Sequence, residues 1–171
     1  MREIPLTQGR VALVDDDQYD RVVARGKWCA VHVSKKYWYA AHRDAGCNIL
    51  YMHRFITGVD SPHTDHKNGD GLDNQRTNLR PCTVAQNNCN RRGLPSHNTN
   101  GYMGVGLGMT PGTWVAKRKS KGHQYHGGTF DDIVSAAHAS DVLAVRVHGE
   151  FAALNFPEDR ESITRILSSD S

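Results

Sequence analysis

The chain has 171 residues, of which 38% are hydrophobic, and a mean hydropathy of −0.59. That length holds one ordinary domain or two or three small ones, and the composition makes their cores small. A formal net charge of +3 and an isoelectric point near 8.7 permit nucleic-acid binding without requiring it. No signal peptide and no membrane-length apolar run is found, so the expectation is a cytoplasmic protein with reduced thiols and no membrane partner. Cys29, Cys47, Cys82 and Cys89 form no CxxC pair and no zinc-finger spacing with histidine, so no structural zinc is expected.

In chain order, residues 1–46 read as a small β-rich arm. An alternating start reaches the apolar run Val11 to Val14, and Asp15 to Asp17 can cap a helix over Gln18 to Arg25. Trp28 to Val33 and Lys36 to Ala41 read as strands joined around Ser34-Lys35. Tyr37, Tyr39 and Ala41 then share one face, with Trp38 and Ala40 on the other. Aromatics beside Lys35, Lys36 and Arg43 can flank DNA, but packing in the core is the preferred reading.

Residues 47–93 form the next module. Asn48 to Met52 reads as a strand, His53 to Thr57 as a helical turn ended by Gly58, and Val59 to His63 as a turn. Thr64 to Asn90 reads TDHKNGDGLDNQRTNLRPCTVAQNNCN. Its Asn68-Gly69 is a hairpin signal, because both residues tolerate positive φ. Thr83 is a plausible N-cap, and Val84 to Arg92 contains no Gly or Pro, so a short helix follows. Two β-segments and a helix can thus gather a carboxylate, an imidazole and an amide.

That trio suits phosphodiester hydrolysis. An Asp carboxylate and an Asn carbonyl are hard ligands of the kind Mg²⁺ accepts. A histidine can take a proton from water near neutral pH, and a metal would polarise the phosphate. Strand neighbours point to opposite faces, so either the strand ends at Asp65-His66 or the metal lies at its edge. His53 has two readings of at least equal standing, a hydrogen-bonded structural histidine and a supporting or phosphate-contacting group.

Asp65-His66, the NGDGLDN loop, Asn78-Leu79-Arg80 and Gln86-Asn87 resemble the HNH (ββα-metal) endonucleases of phage and intron homing type, over about Leu50 to Arg92. The IPLT…VALVDD…W opening and the LYMHRFITG stretch are similar to that group as well. The resemblance implies that His66 is the general base, and that Asp65 and Asn87 hold one divalent metal, Mg²⁺ or alternatively Mn²⁺. It also implies that Asn78 braces the loop and orients His66. This chain has Asn where other members carry a last His, which leaves Asn88 as an alternative ligand to Asn87. Arg80, Arg91 and Arg92 are expected to meet DNA.

Leu94 to Gly101 (LPSHNTNG) reads as a linker. Beyond it, at residues 102–157, strands at Tyr102 to Leu107, Thr113 to Lys119 and His123 to Gly127 are separated by MTPG and SKG turns. Ile133, Ala136, Ala137, Ser140, Leu143, Ala144 and Val147 then fall at helical spacing behind Asp131 as N-cap. GYMGV, TWVAKRK, GGTFDD, SAAHASDVLAVRVHG and ALNFP together resemble the AP2-type DNA-binding domain. The resemblance implies a sheet in the major groove with the helix behind it. Alternation turns Trp114 and Ala116 to the helix and Val115, Lys117 and Lys119 to DNA, with Gln124 and His126 beside them. Plant AP2 domains carry arginines along the first strand, whereas this chain offers Met103, Gly106 and Gly108. Residues 158–171 read as a C-terminal tail.

The expectation is therefore an α+β chain of three small modules, acting as a monomer on double-stranded DNA. Its activity would be that of a site-specific, metal-dependent, nicking homing-type endonuclease. The alternatives are a non-catalytic sequence-specific regulator, and a restriction or structure-selective HNH nuclease.

Overall fold

The short runs REIP and VALV pair as β1 (Arg2–Pro5) and β2 (Val11–Val14), antiparallel, with Ile4 opposite Ala12. These elements belong to a computed structural model that describes residues 1–34, 37–58, 63–90, 94 and 98–169. The fold is mixed α+β and divides into two compact units, Met1–Asn87 and Asn88–Ser171.

In the first unit, β2 leads into α1 (Asp16–Ala24). Its N-cap residue Asp15 makes no side-chain cap bond and instead accepts the backbone N–H of Arg76 at 2.8 Å. β3 (Cys29–Ser34), β4 (Tyr37–Arg43) and β5 (Ile49–Tyr51) make an antiparallel sheet with β4 in the middle. α2 (Met52–Thr57) follows and stops at Gly58, whose φ of 97° is easily reached only without a Cβ. β6 (Thr64–His66) pairs with β7 (Leu79–Pro81), and α3 (Val84–Cys89) comes after. Thr83 opens α3 through a reciprocal cap. Its Oγ1 accepts the N–H of Gln86 at 3.2 Å, and Gln86 Oε1 accepts the N–H of Thr83 at 2.8 Å.

The expected division between residues 1–46 and 47–93 does not hold. Ile4, Ala12, Val14, Val22, Trp28 and Ala40 share one buried cluster with Met52, Ile56 and Leu79. Leu13 also donates its N–H to Leu72 O at 2.9 Å and accepts from Asn74 N–H at 2.8 Å. The physical reason is size: some 45 residues bury too little apolar surface to stand alone. The aromatics of β4 serve this unit internally. Trp38 lies between the Arg10 guanidinium, 3.9 Å from its ring centroid, and the His32 ring at 4.5 Å. Lys35 and Lys36 lie outside the described residues.

In the second unit, β8 (Val105–Leu107), β9 (Trp114–Ser120) and β10 (His123–Phe130) form an antiparallel sheet with β9 central. Lys121 and Gly122 turn the chain between β9 and β10 with φ of 49° and 84°, as a two-residue hairpin requires. β10 runs past the expected end at Gly127 through a register shift between His126 and Gly128. A Cβ on Gly127 would stand 3.2 Å from Ala116 Cβ, so the strand crosses the sheet's inner face closely there. α4 (Ile133–His148) is capped by Asp132 rather than Asp131, the carboxylate accepting Ser135 N–H at 2.8 Å.

One face of α4 packs Ala136 and Ala137 with Val105, Trp114 and Phe130, while Ala144 and Val145 meet Ala152, Leu154 and Ile163. Ile163 lies on α5 (Arg160–Ser169), so the expected tail is largely a packed helix. Ile163 and Leu167, four residues apart, supply its apolar stripe. Of the expected linker, residues 95–97 lie outside the described residues. Asn98 and Asn100 serve as turn makers, donating to Tyr102 O at 2.8 Å and Val105 O at 2.9 Å.

Candidate functional site

Strand alternation sets up the first candidate surface. On β9, Ala116 is buried against α4 while Lys117 and Lys119 are exposed on the opposite face. The register places His126 opposite Lys117 and Gln124 opposite Lys119. All four side chains are exposed, and the Nε2 atoms of Gln124 and His126 are 3.3 Å apart. The fold thus brings together four of the five sheet residues expected on the DNA side, with Val115 further along the same strand.

Arg118, between the two lysines, points inward. Its Nη2 donates to Asp141 Oδ1 at 3.2 Å and its Nε to Ser140 O at 3.2 Å. Asp141 is fully buried and also accepts from the N–H groups of Asn155 and Phe156, at 3.0 and 2.9 Å. Asn155 in turn accepts Met103 N–H at 2.7 Å. Burial pulls the Arg118 guanidinium below its usual range, with Asp141 opposing that shift. Sequence reasoning missed this hub. Its available signal was Asp141 itself, an acid set among the apolar residues of the α4 stripe.

A second constellation surrounds His66 in the first unit. Asn78 hydrogen-bonds into the Asn68–Asp73 loop. Asn78 Oδ1 accepts Asn68 N–H at 3.0 Å, and its Nδ2 donates to Asp73 O at 2.7 Å. Asn74 also reaches His66, its Oδ1 lying 3.4 Å from His66 Nε2. Asn74 is fully buried and donates through Nδ2 to Leu72 O at 3.0 Å. Asn74, which the sequence offered only as the last residue of NGDGLDN, thus joins the residues that hold the His66 ring.

His66 is itself buried, with ring centroids of His53 and Tyr39 at 5.1 and 5.7 Å. Burial pulls its pKa down, against the Asn74 hydrogen bond and the charges of Asp65, Asp70 and Asp73. His53 is pushed down to about 3, first by burial and then by His66 and Arg54. Its ring stacks on Tyr51 at 5.5 Å, and its Nδ1 is shielded from solvent with no hydrogen-bond partner among the described residues. A cavity of about 340 Å³ opens here, bordered by Tyr39, Tyr51, His53, His63, Thr64 and Asn87. Asn88 instead borders a cavity of the second unit.

Asp65 and Arg80 are partners across β6 and β7, and both are buried. Arg80 donates from Nε and Nη2 to Asp65 Oδ2, at 2.8 and 2.7 Å. The DNA contact expected of Arg80 is corrected accordingly, because its guanidinium turns inward to a carboxylate. Both of these bonds fall on Asp65 Oδ2, so in the ligand role expected of it Asp65 would share its carboxylate between the metal and Arg80. Among the described residues no group of three or more His, Cys, Asp or Glu is arranged to hold a metal. Arg91 and Arg92 lie outside the described residues. No described helix is long and apolar enough to cross a membrane.

The second unit is, by its fold and exposed residues, a three-stranded sheet backed by a helix and open on a basic, polar face. In sequence the chain is similar to an AP2-like ethylene-responsive transcription factor of Arabidopsis thaliana, 32% identical over 79 residues. The match covers 46% of this chain and 18% of that protein, so the chain spans less than a fifth of its relative. This partial likeness supports an AP2-like region. No protein-family model matches the chain, and no solved structure matches it.

Proposed function

We propose that the chain binds double-stranded DNA, and that its second unit does so through the open face of β9 and β10. The observation that carries this is the gathering of Lys117, Lys119, Gln124 and His126 on one exposed face. Ammonium groups there neutralise phosphates, while amide and imidazole can address base edges. Charge segregation agrees, because no Asp or Glu occurs from Asn74 to Phe130. The likeness to an AP2-like transcription factor supports the same reading.

Fluorescence anisotropy of the full chain on labelled duplexes across a salt series tests it. Lys117→Ala with Lys119→Ala should weaken binding evenly across sequences and flatten the salt slope by about 0.9 per lost phosphate contact. Gln124→Ala or His126→Ala should change the preferred bases. If affinity, salt slope and preference all stay at wild-type values, this face is not the reader.

A second reading adds chemistry in the first unit: a site-specific HNH-type endonuclease of the homing group that hydrolyses one DNA strand. The observation favouring it is that His66, kept unprotonated by burial, stands on β6 next to an Asn-braced loop, with Asn87 at the nearby cavity. Neutral His66 can take the proton of a water whose oxygen bonds to phosphorus as the P–O bond to the leaving sugar oxygen breaks. Asn74 fixes the imidazole, and Asn78 keeps the loop in register behind it. One divalent ion, Mg²⁺ or Mn²⁺, would supply charge neutralisation at the phosphate. Asp65 and Asn87 would hold that ion, and no step here is routed through it. Supercoiled plasmid incubated with and without Mg²⁺ or Mn²⁺ tests this reading. Nicked circles from the wild type but not from His66→Ala support it, whereas uncut plasmid in every lane leaves a DNA-binding regulator.

A further inference from the structure

The first strand of the sheet has little to offer a base edge by way of polar groups. On β8 the open-face residue is Gly106, and a Cβ placed there would lie 2.8 Å from Lys117 Nζ. The lysine therefore covers the space that a side chain would need. Yet the hairpin joining β8 to β9 carries Met109 at 103% exposure and Leu107 at 77%. Single exposed apolar residues are ordinary, so position has to carry the argument.

The turn that holds Met109 is fixed. Gly108 N–H donates to Thr113 O at 2.8 Å, Thr113 N–H to Thr110 O at 3.1 Å, and Thr113 Oγ1 to Thr110 O at 2.7 Å. Met109 thus projects from an ordered tip and meets nothing in its own unit. Leu107 is opposite Trp114 in the register, which puts it on the α4 side of the sheet. The tip is continuous with β9, the strand of Lys117 and Lys119, in a segment without a single carboxylate side chain. That charge selects a polyanion over an acid-poor protein surface as the occupant.

We propose that Met109 is a specificity-determining residue that packs against the C5-methyl group of thymine in the major groove. The proposal rests on the DNA-binding reading above. A thymine methyl is the one apolar feature of a base-pair edge there, and apolar side chains discriminate by touching it. The unbranched, polarisable Met side chain adapts to such a contact. Three strand residues, about 10 Å, separate Lys117 from Trp114. The tip therefore addresses bases roughly three or more base pairs, at about 3.4 Å each, from those facing His126.

The test uses the full chain, a random-sequence duplex library and a metal chelator that suppresses cleavage. Duplexes enriched by the wild type are copied with either dTTP or dUTP, because uracil lacks only the methyl. The thymine pool should bind about fourfold tighter per contacted methyl, the size expected for burying one carbon group. Met109→Ser should abolish the difference and Leu107→Ser should keep it. Equal wild-type affinity for the two pools overturns the proposal. So does a difference that survives in Met109→Ser, or one that vanishes in Leu107→Ser. Failure to enrich any duplex is a distinguishable result that removes the DNA-binding reading itself, and this proposal with it.

Discussion

His53 and His66 meet edge to face at 5.1 Å, both largely shielded from water, and burial depresses both pKa values. For His53 the folded value of about 3 lies below the ordinary 6.5. Above pH 6.5 both folded and unfolded states keep this imidazole neutral, and its contribution to stability is fully present. As the pH falls from 6.5 toward 3, the unfolded chain takes up a proton that the folded one refuses. Stability is then lost at about 1.4 kcal/mol per pH unit for such a group. His53→Phe keeps an aromatic face for Tyr51 and removes the titration. Urea unfolding of the full chain between pH 6.5 and about 4 should show a shallower acid loss in that variant. An unchanged slope would rule out a buried neutral His53.

Asp65 and Arg80 give a second test at the same scale. Removing one partner of a buried ion pair leaves an uncompensated charge, which costs about 3–5 kcal/mol. Asp65→Ala should therefore lower the unfolding midpoint sharply, and Asp65→Ala with Arg80→Leu should recover much of that loss. A metal-binding role alone would leave the single variant near wild-type stability in the presence of a chelator. The sequence made Asp65, His66, Asn78 and Asn87 legible as a group through residue type and spacing. It could not show that Arg80 sits opposite Asp65, because cross-strand register is set by a loop of irregular Asn and Asp bonds. The contact of Asn74 with His66 was hidden for the same reason.

Among the elements, the β9–β10 hairpin was the most readable, because period-two alternation needs only local information. Two features escaped it. Alternation puts Arg118 on the helix side with Trp114 and Ala116, but it does not show what receives the charge there, a buried carboxylate on α4 23 residues away. Gly127 breaks the alternation of β10 because the inner face is crowded by Ala116. Gly104 shows how tightly the sheet meets its helix. Its φ is +72°, and a Cβ there would lie 2.3 Å from Ser140 Oγ and 2.6 Å from Lys117 O. Gly104→Ala should destabilise the second unit by more than roughly 1 kcal/mol, because the crowding and the positive φ outweigh the smaller stabilisation that losing glycine's unfolded-state freedom brings. Differential scanning calorimetry would show the lowered transition, and a wild-type melting profile would refute the crowding argument.

At the scale of the whole chain, composition foretold small cores but not how many. The three expected modules became two units because Trp28, from the supposed arm, is buried with Met52 and Ile56 from the supposed nuclease segment. Periodicity reports which face of an element is apolar and leaves open which distant element covers it. Each chain carries one His66 constellation and one basic sheet face. On the endonuclease reading proposed above, the chain acts on one phosphodiester at a time, and a double-strand break would need two copies or a reoriented second cut. The longest described helix, α4, has its buried apolar residues engaged with its own sheet and with Ala152, Leu154 and Ile163, and the exposed Val134 alone makes no heptad seam for pairing. The expected outcome is a monomer that nicks one strand of its site. Sedimentation with and without duplex, together with denaturing gels of both labelled strands, checks it. Cuts that accumulate on the two strands at equal rates, from a species sedimenting as a dimer, would overturn this stoichiometry while leaving the assignment of His66 intact.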